Sequence, residues 1–110
     1  MNDRELLELA AKAAGIEVFD GEHGDKLRVY YTCPHTGLNR YAPWNPLTDD
    51  GDALRLAVKL KLSVWFEERE YHEWTHIIWV SPVFEPYTGD VNAATRRAIV
   101  RAAAEIGREK

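Results

Sequence analysis

Trp44-Asn45-Pro46-Leu47-Thr48-Asp49-Asp50 is the stretch on which the reading of this chain turns. Pro46 lacks an amide hydrogen and biases Asn45 toward extended backbone, so the chain is irregular up to this point. Thr48 then offers a hydroxyl to the free N–H groups of a first helical turn and is the expected cap. Asp49, Asp50 and Asp52 set negative charge at the positive end of the helix dipole. Trp44 is large enough to pin the preceding loop to the body of the protein.

Downstream, a helix is expected from Thr48 or Asp49 to about Leu60. Ala53, Leu54, Leu56, Ala57, Val58 and Leu60 are its apolar residues, and Asp52, Arg55 and Lys59 form a narrow polar stripe. So little polar surface predicts heavy burial. Leu62 to Glu68 then alternates as a strand, Glu67-Glu68-Arg69-Glu70 turns, and the chain returns from Tyr71 to about Ser81. Pro82 and Pro86 end that strand before a loop through Gly89. Asp90 or Asn92 caps a last helix to about Gly107. Val91, Ala94, Ala98, Ala102 and Ile106 lie on its inner face.

Upstream, Leu6, Leu7, Ala10 and Ala14 recur at helical spacing over residues 3–14, with Asn2 or Asp3 at the start and Gly15 ending the helix in a left-handed turn. Strands follow at 16–19 and 26–32, joined by a turn holding two glycines. Cys33 to Pro43 reads as the longest loop. The fold expected is α+β in one domain, 1–110: a small antiparallel sheet of about four strands packed with three helices, in an α/β/α sandwich-like arrangement.

At 110 residues, with 45% hydrophobic and 29% charged residues, the composition is that of a globular chain. A formal net charge of -4 argues against a general phosphate-backbone binder. The single cysteine excludes an internal disulfide. No signal peptide or bilayer-length apolar run is read, so the cytosol is the expected compartment.

No assembled catalytic set emerges from the motifs. His72 and His76 share a strand face, yet residues i and i+4 of a strand are about 13 Å apart, too far to share an ion. Cys33 beside His35 lacks an orienting third residue and reads as a semi-buried thiol. Asp49, Asp50 and Asp52 lack the spacing of a calcium loop. The protein is therefore expected to bind rather than catalyse, with no metal or cofactor. His35, Arg40 and Tyr41 of the loop, with Tyr71, His72, Trp74 and His76, are the polar-aromatic groups best suited to recognition. A secondary candidate is the basic face Arg96, Arg97 and Arg101, which Glu105 partly neutralises at i+4 from Arg101. Trp65, Trp74 and Trp79 lie on neighbouring strands with apolar residues on both faces, so either helices cover both faces or one face serves self-association or a ligand.

The Trp44–Asp49 segment, the helix through Ala53-Leu54 to Leu60, the strands and the closing Ala94-Thr95-Arg96-Arg97-Ala98-Ile99-Val100-Arg101-Ala102-Ala103 together resemble a bacteriophage family. It is the family grouped as the phage "ABA sandwich" domain, and the resemblance spans Leu6 to Gly107. Leu47 stands where that family has serine. The resemblance implies a phage or prophage origin, an α/β/α arrangement and no catalytic residues. By analogy with other short phage accessory proteins, it implies action in the host cytoplasm on a host protein or a small nucleotide signal, as an anti-defence or host-takeover inhibitor. A nucleic-acid-associated role through the arginine helix is the alternative. A small hydrolase or transferase using Cys33 or a histidine is a third.

Overall fold

In the structure, a computed structural model that describes residues 2–21, 26–68 and 76–110, Trp44 is only 5% exposed and belongs to the main core. The loop after it is tied down at several points. Asn45 accepts the Leu47 N–H on its side-chain oxygen at 3.0 Å, and its own N–H donates to Asp52 Oδ2 at 3.0 Å. The helix that follows, α2 (Asp50–Leu60), is capped by Asp49, whose carboxylate accepts the Asp52 N–H at 2.8 Å. Thr48 instead turns its hydroxyl back to the Asn45 carbonyl. The expected cap is thus displaced by one residue, and a carboxylate takes the role expected of a hydroxyl.

Helix α1 (Asp3–Ala14) starts at Asn2, which accepts the Glu5 N–H, and ends at Gly15 with φ of 69°, where a residue without Cβ carries no steric cost. Helix α3 (Val91–Arg108) is capped by Asp90. It packs along α1, against α2 and onto a sheet. Ala98, Ala102 and Ala103 of α3 and Ala10, Ala11 and Ala13 of α1 are all buried, so two backbones approach closely through small side chains. Contacts of Arg97 with Asp3 and of Lys110 with Ala13 show the two helices running in the same direction.

The strands form two antiparallel sheets of three, in place of the expected single sheet of about four. The first holds β1 (Val18–Asp20), β2 (Leu27–Thr32) and β3 (Asn39–Pro43). The second holds β4 (Val64–Glu68), β5 (His76–Val80) and β6 (Val83–Pro86). Strands β3 and β6 occupy segments whose local sequence predicts loop. Each is a short strand at the edge of its sheet. Strand β3 ends on a proline, and β6 follows one and ends on another, which an edge tolerates because its outer N–H positions need no partner. The apolar alternation that marks a half-buried strand is missing from β3 because neither of its faces is buried.

Ile78, Val80 and Val83 turn one face of the second sheet into the core against α3. Trp65, Trp79 and Phe84 lie across the other face, with Trp65 and Phe84 exposed. Among the described residues, helices therefore cover one face of this sheet only, and the expected sandwich-like layering is not the one formed. Burial of α2 is also less than its composition predicts: Leu54 is 64% and Val58 67% exposed. Beyond Val29 the first sheet projects from the core, and the molecule measures 52 × 29 × 26 Å. Its radius of gyration, 15.2 Å, exceeds the value near 13 Å typical of a compact chain of about this size. No described helix is long and apolar enough to cross a membrane.

Candidate functional site

The projecting sheet leaves a groove of about 580 Å³ between its inner face and the helices. Strand register assigns Val29, Tyr31 and Ala42 to this face, since Val29 pairs with Ala42 and Tyr31 with Arg40. Trp44 and Leu56 contribute from the core, and Gly15 and Ile16 line the groove where α1 ends. One wall is polar: Asp52, Arg55 and Lys59 of α2 stand at its rim. Asp52 is already engaged, by the Asn45 N–H and by Arg55 at 2.7 Å. Lys59, one turn further along α2, is exposed and has no ion pair among the described residues. The volume lies in the range of small-molecule sites, and the mix of an apolar lining with a few polar groups is theirs as well.

The opposite face of the same sheet carries Phe19, Arg28, Tyr30 and Tyr41. Tyr30 and Tyr41 are a cross-strand pair with ring centroids 5.2 Å apart, and Tyr41 meets Phe19 edge-on at 5.5 Å. Both tyrosines are exposed. From Lys26 to Thr48 the chain has Lys26, Arg28 and Arg40 and neither Asp nor Glu, although the protein as a whole is acidic. This local reversal of charge is present in the sequence, but its meaning depends on β2 and β3 being neighbours in one sheet.

Of the residues expected to recognise a partner, Arg40 and Tyr41 are neighbours on β3 but point to opposite faces of the sheet, Arg40 beside Tyr31 and Tyr41 beside Tyr30. His35 is exposed in the turn between β2 and β3. His76 sits apart from these three, on the second sheet, stacked on Tyr87 at 5.3 Å and 3.9 Å from Glu68. Its buried Nδ1 has no hydrogen bond among the described residues. Tyr71, His72 and Trp74 lie outside the described residues, as does all of the expected returning strand before His76.

The basic face of α3 is occupied by internal contacts. Arg96 donates to the Leu47 carbonyl at 2.8 Å and to Asp50 at 2.6 Å, so it buckles α3 to the loop that starts α2. Arg97 meets Asp3 at 3.2 Å, and Arg101 pairs with Glu85 on β6. Glu105, expected to neutralise Arg101, pairs with Arg108 instead. Packing of α3 against β6 brings Glu85 to Arg101 and leaves Glu105 to its helical neighbour.

Cys33 opens the turn at the tip of the first sheet, where its N–H donates to the Leu38 carbonyl and its carbonyl accepts the Gly37 N–H. Hydrogen bonding from the Thr36 side chain, helped by the His35 and Thr36 backbone, holds its thiol below the ordinary range. Among the described residues no three His, Cys, Asp or Glu side chains converge to hold a metal ion. In comparisons with known proteins, no family model, no curated protein and no solved structure matches this chain.

Proposed function

We propose that this protein works by binding, and that the groove beneath the first sheet is where its partner sits. The observation that carries the reading is the groove itself: an open site of about 580 Å³ with Tyr31, Trp44 and Leu56 in its lining and Lys59 at its rim, while the neighbouring Arg55 is paired with Asp52. An apolar lining takes up the flat or aliphatic part of a ligand, while the Lys59 ammonium attracts an anionic part. The run from Lys26 to Thr48, free of carboxylates, extends the same preference over the sheet. Such a site suits a small anionic ligand such as a nucleotide signal, or an acidic segment of a host protein. The phage-encoded, anti-defence setting in the host cytoplasm is supported by the resemblance of the Trp44–Asp49 and Ala94–Ala103 segments. A nucleic-acid role through α3 is disfavoured, because Arg96, Arg97 and Arg101 are each committed to a carboxylate of this chain.

Native mass spectrometry of the protein purified from bacterial cells, with and without titrated nucleotides, tests the site. Ala42→Trp fills the groove and Lys59→Glu reverses a rim charge; both should lose the bound species while far-UV circular dichroism stays native. A species carried equally by the wild type and both variants, or no bound species at all, refutes the proposal.

A further inference from the structure

We propose that the outer edge of β4 is a self-association surface, at which two copies of this chain join antiparallel into one continuous six-stranded sheet. Strand β4 pairs with β5 on one side, and no strand covers its other edge among the described residues. Exposed edges are usually blunted by charged side chains, proline or a bulge, and β4 carries its charge, Glu67 and Glu68, only at its C-terminal end. Val64-Trp65-Phe66 has none of these. Instead both faces of the edge are apolar: Trp65 is 45% and Phe66 58% exposed, and they point to opposite sides of the sheet.

Around Phe66 the apolar surface continues onto the helices. Leu54 of α2 and Val91 of α3 surround, with Phe66, a hollow of about 290 Å³. Val58 lies one helical turn beyond Leu54 and is exposed as well. Phe66, Leu54, Val58 and Val91 expose roughly 300–400 Å² on one side of the sheet, and Trp65 on the other side raises the exposed apolar area at this edge to roughly 400–500 Å². That is about half of the 800 Å² or so that a stable interface buries on each partner, and the ladder backbone with the polar rim would supply the remainder.

A second copy fits this edge for a specific reason. In antiparallel pairing about a two-fold axis at Phe66, all five residues of β4 gain a mate, whereas any other register shortens the ladder. Trp65 then lies opposite the partner's Glu67, and Val64 opposite the partner's Glu68. Glu67 already accepts the Trp79 indole N–H at 2.6 Å within its own sheet, so across the axis it stands as a polar neighbour of Trp65 and not as a new acceptor. Parallel pairing would set glutamate beside glutamate at one end, which is unfavourable. The two Phe66 rings share one face at the axis, next to the Leu54 hollows of both copies.

Light scattering across a hundredfold concentration range, on the full chain, should show a particle of twice the 12.6 kDa chain mass at the upper end. Phe66→Lys should hold the mass at one chain with unchanged circular dichroism, because the side chain is exposed in the monomer. Tyr41→Lys, on the other sheet, should leave the dimer intact. In a Cys33→Ser background, Phe66→Cys should give a reducible cross-linked dimer at the axis. A wild type of single-chain mass throughout, a dimer that survives Phe66→Lys, or no cross-link at position 66 overturns the proposal. None of these variants alters the groove, so its own test stands apart.

Discussion

Gly107→Ala should destabilise the protein, although helix propensity alone argues the reverse. Gly107 is the penultimate residue of α3, and alanine in a helix is favoured over glycine by at most about 1 kcal/mol. A Cβ at this position would stand 2.0 Å from the Leu9 carbonyl oxygen, 2.8 Å from its carbon and 3.3 Å from its Cα. All three are backbone atoms of α1, so no rotamer change can relieve the overlap. The two helices must separate by about 1 Å, and an interface of buried alanines has no flexible side chain to fill the gap. Overpacking of this kind costs about 1–3 kcal/mol and sometimes more, which outweighs the propensity gain. With a shift of about 4–8 °C per kcal/mol for a small domain, the melting temperature should fall by roughly 5–15 °C. Thermal and urea melts followed by circular dichroism measure this, with the urea slope checking that the unfolded state is unchanged. Gly89→Ala is the control: nothing lies within 4 Å of the place a methyl group would take there, and its φ is outside the left-handed region, so stability should hold or rise slightly. A Gly107→Ala protein as stable as the wild type would refute the close approach of α1 and α3.

Two further outcomes are expected. Asp49→Ala should cost about 1 kcal/mol in urea unfolding, while Thr48→Ala should stay within about 0.5 kcal/mol, because Asp49 holds the cap; the opposite order would return the cap to Thr48. Thr36→Val should raise the Cys33 thiol by removing the leading hydrogen bond that lowers it. A lowered thiol holds more thiolate at neutral pH, so the wild type should react faster with a disulfide reagent there, and the variant's rate profile should rise at higher pH. Identical profiles would show that Thr36 does not act on Cys33.

Local chemistry is enough to place the three helices. Caps, periodic leucines and alanines, and Gly15 as a stop act within one or two turns, so the segments 3–14, about 50–60 and 91–107 are readable without any partner. The burial of Trp44 is readable for the same reason, since a large apolar ring in a short rigid loop has little choice but to pack. The division into two sheets is not readable. Strands β3 and β6 exist because β2 and β5 offer them a ladder, and their own sequences carry no alternation to announce it. The exposure of Leu54 and Val58 follows from which side of α2 packs against α1 and α3, not from the composition of the helix that holds them.

The candidate site divides in the same way. Residue types suited to recognition, Arg40 and Tyr41, can be picked out one by one, because a planar cation and an amphipathic ring keep their chemistry in any fold. Which face each occupies, and that Tyr31 rather than Tyr41 looks into the groove, depend on a cross-strand register that no local rule supplies. Arg96, Arg97 and Arg101 show the converse. Their spacing along one helix makes a basic stripe, but their partners Asp50, Asp3 and Glu85 come from three other parts of the chain. Charge is a property of the sequence, whereas whether a charge is free to meet a ligand is decided only when distant segments pack, because Coulomb attraction depends on separation in space and not along the chain.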